Sequence, residues 1–255
     1  MFLGIKIYDC FTFYNEEEML KIRLNELKDV VDYFFIVEAD RTFTGKAKDF
    51  YLDKYDWLDE FSSKIIRCYV SLHDYIGDAW SAEYKQRNAI QDVVNYADDL
   101  DFCIVSDVDE IPRPDVLQSA RIAFDVDTPV QLDVDQYFWN FNWLTPKHCN
   151  EGARPVFCRT KDLQNTLPQD LRADSDMKRI PDAGWHFSFM MSPEDIINKI
   201  ESFAHTEYDS QEYKDLNNIL GRIQFGIDPF DRFPLKYEKI SNKHPKYIQE
   251  NYKDG

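Results

Sequence analysis

Four short β-prone runs, FLGIKIY (residues 2–8), DYFFIVEA (32–39), KIIRCYV (64–70) and DFCIVS (101–106), constrain the fold more than any other feature of the chain. They are too short for ordinary helices, and the second and fourth are apolar enough to be covered on both faces, as strands of a parallel sheet are. Between them the pattern changes to a helical period. Asn15 with Glu18 three residues on predicts a capping box, Glu16 to Glu18 suit the positive end of a helix, and Leu20, Leu24, Leu27 and Val31 recur on one face. A looser aromatic interval holds Tyr51, Tyr55, Trp57 and Phe61, and residues 78–97 read as a helix capped by Asp78. Such alternation predicts an α/β fold built on a doubly wound, mostly parallel sheet flanked by helices. Ligands of such sheets sit beyond the carboxyl ends of the strands.

The C-terminal half is patterned differently. PVQLDVDQYFWNFNW (129–143) and RPVFCRT (154–160) follow one another without an intervening helix, which predicts antiparallel strands added to the sheet. DAGWHFSFM (182–190) reads as a further strand. SPEDIINKIESFAH (192–205) reads as a helix with Ser192 at its cap and Pro193 in its first turn, carrying Lys199 and His205. The last forty or so residues, with Pro229, Pro234 and Pro245 among charges, are expected to wrap the surface. No repeat or linker interrupts the chain, so residues 1–255 are expected to form one domain.

With 47 acidic against 30 basic residues the formal charge is −17, which opposes binding to a phosphate backbone or an anionic bilayer. The start, MFLGIKIYDCF, places Lys6 and Asp9 inside a very short apolar run, a poor signal peptide and a poorer membrane span. A cytoplasmic protein without an integral membrane segment is expected. Cysteines at 10, 68, 103, 149 and 158 show no CxxC spacing, and three lie in strand-like runs where a free thiol packs as a small hydrophobe.

The fourth run ends in carboxylates: Asp107, Asp109 and Glu110 in SDVDEIPRP. Like charges so close repel, and a cation or a proton relieves them. Mg²⁺ and Mn²⁺ are held by one or two carboxylates together with substrate phosphates, and the alternate side chains of an extended turn reach one side. The same spacing occurs in DVDT (125–128) and DVDQ (133–136), read as a loop and as the face of an edge strand. The apolar strand before Asp107 and the proline-marked turn after it set that pair apart.

Five blocks in order, IYDCFTFYNEEEMLKIRLNELKDVVDYFFIVEADRTFTGK, KQRNAI, SDVDEIPRP, AGWHFSF and KIESFAHTEY, resemble the signature segments of glycosyltransferase family seventeen and span most of the chain from Ile7 to about Tyr208. The resemblance implies a GT-A type fold, with residues 1–114 binding a nucleotide sugar and 115–255 binding the acceptor. It further implies a UDP-sugar donor, UDP-GlcNAc first, a carbohydrate acceptor, Mn²⁺ or Mg²⁺, and an inverting transfer that forms a β-glycosidic bond. A type II anchor and stem like those of the animal members are not expected.

Asp107 would face the ribose and the metal, Asp109 would ligate the ion directly, and Glu110 would orient a metal water or only support the site. His186 is a candidate metal or diphosphate ligand, against the alternative of a packed strand histidine. Donor contacts are expected from the first strand ends, at Phe11, Thr12, Asn15, Glu38 and Arg41. Asn15 could equally be a cap, and Glu38 could simply pair with Arg41. Arg87 is expected to fork onto a phosphate, the alternative being an ion pair with Glu83 four residues earlier. Lys199 could also reach a phosphate. For the base that takes the acceptor's proton, Asp182 leads, with Glu201 and Glu207 as alternatives, and Trp139 or Trp143 could offer a ring to a sugar face. Two rival classes use similar residues: a phosphatase of the haloacid dehalogenase type, with the first Asp as nucleophile, and a non-catalytic sugar- or metal-binding module.

Overall fold

The computed structural model describes residues 4–75, 77–123, 128–150 and 154–253. In chain order the first part contains β1 (Ile7–Phe13), α1 (Glu17–Leu27), β2 (Tyr33–Ala39), β3 (Ile65–Val70), α2 (Ala79–Asn88), β4 (Phe102–Asp107), β5 (Glu110–Pro112) and α3 (Pro114–Ala123). The remainder contains β6 (Val130–Phe138), β7 (Trp143–Leu144), β8 (Val156–Arg159), α4 (Thr160–Leu163), α5 (Pro168–Ala173), β9 (Lys178–Ser188), α6 (Pro193–Ser202), α7 (Gln211–Lys214), α8 (Leu216–Phe225), β10 (Lys236–Tyr237) and α9 (Lys246–Asn251).

One sheet takes strands from both parts in the order β10-β7-β6-β8-β4-β1-β2-β3. Its first block, β3, β2, β1 and β4, is wholly parallel. Beyond β4 the sense reverses: β8 is antiparallel to both β4 and β6, β7 to β6, and β10 to β7. β9 runs parallel to β6 and also pairs antiparallel with the short β5, which draws the segment after Asp109 under the sheet. The protein is thus α/β, with a parallel first half and antiparallel strands added in the second, as the patterning implies.

The central strands are buried on both faces because helices cover both. Leu20, Leu24, Leu27 and Val31 enter the main core with Phe34, Ile36 and Ile104, while Tyr8, Cys10, Phe35 and Cys103 line the opposite face of the same strands. The sides alternate as the pleat requires. Asp78 and Ser192 cap α2 and α6 by accepting from the amides of Ser81 and Asp195.

Several boundaries differ from expectation. The first strand begins at Ile7 and runs to Phe13, so Phe11 and Thr12 lie within it and not in the turn after it. Asn15 is not a cap: the Glu16 carboxylate accepts from the amides of Tyr14 and Asn15 and holds the entry to α1 instead. Helix α6 ends at Ser202, whose hydroxyl bonds back to Asn198, and Phe203 turns extended, so His205 lies beyond the helix. DVDQ sits in β6, which is paired on both sides and is not an edge strand. DVDT falls, except for Thr128, outside the described residues. The C-terminal segment does more than wrap: Ile248 on α9 enters the main core, and Leu235 joins a smaller cluster with Trp139, Phe189 and Ile196. Among the described residues no helix is long and apolar enough to cross a membrane.

Candidate functional site

The site grows from the way β4 ends. Asp107 is its last residue, set beside Thr12 of β1 in the parallel register, and Thr12 Oγ1 donates to Asp107 Oδ1 at 2.8 Å. The next residue to pair is Glu110, opposite His186 of β9, so the chain turns through Val108 and Asp109 in two steps. Val108 points into the core and Asp109 away from it.

A buried arginine from α1 holds this turn. Arg23 and Asp9 have fully buried side chains and form a two-pronged pair, Nε to Oδ2 at 2.8 Å and Nη2 to Oδ1 at 2.6 Å. Arg23 Nη2 also donates to Ser106 Oγ, and Nη1 donates to the carbonyls of Asp107, Val108 and Glu110 at 2.9, 3.2 and 2.7 Å. Carbonyls that a tight turn would leave unpaired are thereby satisfied.

Around the turn, carboxylates and guanidinium groups are tightly matched. Asp107 accepts from Arg87 at 3.1 Å and from Arg172 at 3.3 Å. Arg172, on α5, grips Glu110 through both terminal nitrogens at 2.5 and 3.0 Å, and Glu110 in turn accepts from the Asp107 amide. Arg87 also donates to Glu83 and to Gln169. Burial pushes the Asp107 carboxyl up, but the two guanidinium groups and Thr12 outweigh it and hold the group well below the usual carboxylate range. Glu83 is shifted the other way, raised by burial and by Asp107 despite Arg87. Three carboxylates thus face two guanidinium groups, a net negative balance.

Asp109 is engaged less tightly. Its Oδ2 stands 3.6 Å from His186 Nε2 and 4.0 Å from Lys199 Nζ, both too long for strong hydrogen bonds. Burial raises the Asp109 carboxyl, but His186 and Lys199 outweigh it and leave it lowered; for His186 burial lowers the imidazole and Asp109 more than reverses it. One carboxylate oxygen and one imidazole nitrogen therefore face each other across a gap next to a negatively balanced cluster. Among the described residues no group of three or more His, Cys, Asp or Glu side chains is placed to hold an ion. The two donors fit a hard divalent cation only as an incomplete set, of the kind that substrate phosphates complete.

These groups line one cleft of about 840 Å³ at the carboxyl ends of β1 and β4, within the range of small-molecule sites. Thr12, Arg87, Asp107, Asp109 and His186 all face it, as do Lys199 and His205. The other expected positions fall elsewhere. Phe11 is packed in the core beneath the Arg23 guanidinium, and Asn15 lies outside the lining. Glu38 is fully buried and accepts from Lys48 and from the amides of Tyr51 and Leu52, so it pairs with Lys48 and not with Arg41. Arg41 donates to the Gly45 carbonyl and lines a smaller adjoining cavity of about 110 Å³. Asp182 is outside the cleft, paired with Arg113 at 2.8 Å, and Glu201 faces Lys214 at 3.5 Å. Glu207 reaches the cleft only through His205, to which it is bonded at 2.6 Å.

Trp139 is buried, with Nε1 donating to the Ile227 carbonyl, and Trp143 packs under Gly226 and against Tyr237, so neither offers a ring to the cleft. Rings that line it include the exposed Tyr84 and the half-buried Trp80 of α2, with Phe203, Tyr208 and Phe230, also half-buried. Arg172 and Arg23 have no counterpart in the expectations. Arg172 comes from a short helix 65 residues after Asp107 and carries no local signal. Arg23 had one: a charged residue among Leu20, Leu24 and Leu27 on the inward face of α1.

The chain matches the family model described as glycosyltransferase family 17 over residues 3–245. It is 26% identical to the human β-1,4-mannosyl-glycoprotein 4-β-N-acetylglucosaminyltransferase over 97% of its own length and 54% of the relative's, and 25% identical to the rat protein of that name over 97% and 53%. It therefore spans about half the length of these curated relatives. Among solved structures, that of S. aureus TarS 1-349 aligns with a TM-score of 0.45 and 15% identity over 76% of this chain and 63% of TarS. A 4-diphosphocytidyl-2C-methyl-D-erythritol synthase aligns with a TM-score of 0.42 and 12% identity over 70% and 88%. A family match that takes in the acidic strand end, the histidine strand and the lysine helix of one cleft leads to one conclusion: the chain belongs to glycosyltransferase family 17.

Proposed function

We propose that the protein transfers a sugar, GlcNAc first, from a UDP-linked donor to a carbohydrate hydroxyl with inversion, using Mn²⁺ or Mg²⁺, and that it does so in the cytoplasm. The observation that carries this reading is the placement of Asp109, His186 and Lys199 at the end of β4 inside a cleft of nucleotide-sugar size. Asp109 and His186 would hold the ion, which when bound supplies positive charge to the departing diphosphate.

The chain's own groups do the rest. Lys199 is a further cation within reach of the same phosphates, lying 4.0 Å from Asp109 and over the Phe189 ring at 5.2 Å. Asp107, fixed by Thr12, Arg87 and Arg172 and kept ionised, is an acceptor for a donor hydroxyl and not a free ligand. Arg87 and Arg172 neutralise the carboxylates around the turn, so their charge serves the protein before it serves a phosphate. This preorganisation costs nothing during the reaction, because the dipoles and charges are already aimed.

The phosphatase alternative asks Asp107 to attack phosphorus. Its Oδ1 already takes Thr12 and Arg87, and its Oδ2 takes Arg87 and Arg172, an arrangement that blunts a nucleophile. A non-catalytic module is separated by turnover. Asp109→Ala is expected to stay folded, to lose the stabilisation that UDP-GlcNAc with Mn²⁺ gives the wild type in a thermal-shift panel of nucleotide sugars, and to lose UDP release. Equal stabilisation of wild type and variant, or none with any donor, would remove the basis of the proposal.

A further inference from the structure

An inverting transfer needs a base on the acceptor side, and the cleft narrows the choice. Glu83, Asp107 and Glu110 are tied to guanidinium groups. Asp109 and His186 face each other, and one oxygen of Glu16 takes two backbone amides. Of the carboxylates and imidazoles among the described lining residues, His148 and His205 remain. Only His205 carries an orienting partner: its Nδ1 is 2.6 Å from Glu207 Oε1, and among the described residues no hydrogen bond engages Nε2.

The surroundings of His205 suit a sugar. The imidazole stands edge-on to Trp80 at 4.4 Å between ring centres, with Phe203 at 5.6 Å and Tyr208, itself stacked on Phe230 at 3.8 Å, at 5.9 Å. A tight turn fixes the pair, because the Tyr208 amide donates to the His205 carbonyl. Trp80 belongs to α2 and His205 to the segment leaving α6, so the contact joins two elements that both line the cleft. Partly exposed aromatic faces there match the apolar C–H face of a pyranose.

Building on the transferase reading, we propose that His205, held by Glu207, is the general base and that Trp80 forms the acceptor-sugar wall beside it. Nε2 takes the proton of the acceptor hydroxyl as its oxygen forms a bond to the donor's anomeric carbon. The bond from that carbon to the diphosphate oxygen breaks, and the electron pair leaves with the nucleoside diphosphate. Glu207 compensates the imidazolium, which then releases its proton to water. The Glu207 carboxyl, which His205 holds below its usual range, is ionised and ready for that role.

The test measures UDP release from UDP-GlcNAc with Mn²⁺, both in water alone and with a β-mannosyl glycopeptide as acceptor probe, for wild type, His205→Ala and Glu207→Gln. His205→Ala is expected to lower kcat by about 100-fold or more while the donor-dependent thermal shift persists, as loss of a general base does. Added imidazole should restore part of the rate, and Glu207→Gln should fall between the two. A purely structural role would not respond to imidazole. Turnover by His205→Ala within about threefold of wild type, or a loss confined to acceptor KM, would overturn the assignment. Absence of a donor shift in the wild type would instead overturn the underlying transferase reading, and the two failures are read from different columns of the same experiment.

Discussion

Replacing Arg23 by Met tests how the acidic turn is held. Both side chains of the Arg23–Asp9 pair are wholly buried, so the variant leaves the Asp9 carboxylate with Ser106 nearby and no cation. Breaking such a pair from one side costs about 3–5 kcal/mol. The carbonyls of Asp107, Val108 and Glu110 also lose their donor, at about 1 kcal/mol each where water cannot replace it, and the contact of the guanidinium with the Phe11 ring at 4.4 Å is lost. Methionine returns some of this as apolar packing. A net loss of about 5 kcal/mol is expected, at least a third of the usual stability of about 5–15 kcal/mol. In a chain of this length that lowers the melting midpoint by about 10–20 °C. Urea unfolding followed by far-ultraviolet circular dichroism gives the number. The double variant Arg23→Met with Asp9→Leu removes the orphan charge and should be more stable than Arg23→Met alone, because the cost arises mainly from the unpaired ion. A single variant within about 1 kcal/mol of wild type, or a double variant less stable than the single, would refute this account.

Gly184 stands where β9 passes closest to β5: an added Cβ would lie 2.6 Å from the Ile111 carbonyl and 3.1 Å from Pro112 Cα, both backbone. Gly184→Ala is therefore expected to cost about 1–3 kcal/mol by urea unfolding, and because β5 follows the acidic turn it should also weaken the Mn²⁺-dependent donor shift. The acid limb of stability provides another check. The Asp107 and Asp109 carboxyls are lowered in the folded protein, so the unfolded chain binds protons first as pH falls; their contribution is intact above about pH 4 and is lost progressively below it. The urea midpoint should fall as the pH is lowered below about 4, and Asp107→Asn should flatten that fall. An unchanged slope in the variant would mean that other carboxylates govern acid unfolding.

Element types were legible where one periodicity dominated. The inward face of α1 and the caps Asp78 and Ser192 follow from spacing and side-chain chemistry alone. Boundaries were less legible, because Ile7 to Phe13 alternates aromatic and small residues as readily as the run before it, and only pairing with β2 and β4 decides where the strand lies. The site divides in the same way. Asp107, His186 and Arg87 sit in strands and a helix, and Asp109 in the turn directly after Asp107, whereas Arg172 reaches Asp107 from a one-and-a-half-turn helix that tertiary packing alone positions. Asp182 failed as a neighbour of the cleft because β9 carries it past the end of β5 to Arg113, with the backbone turned to φ 52°.

Comparison of the two described Asp-Val-Asp pairs shows what sets one of them at the cleft. In β6, Asp133 is matched to Arg154 at 2.6 Å and Asp135 lies 3.7 Å from Arg113, each on a strand that continues through its ladder. At the end of β4 the ladder stops. Arg23 then satisfies the turn's carbonyls, Arg87 and Arg172 take up Asp107 and Glu110, and Asp109 is the acid left facing open volume without a close partner. The Asp107–Asp109 pair differs in that other groups satisfy the backbone around it while the Asp109 carboxylate keeps no close partner. That condition depends on residues as distant as Asp9 and Arg172, which is why spacing alone ranks the three Asp-Val-Asp occurrences equally.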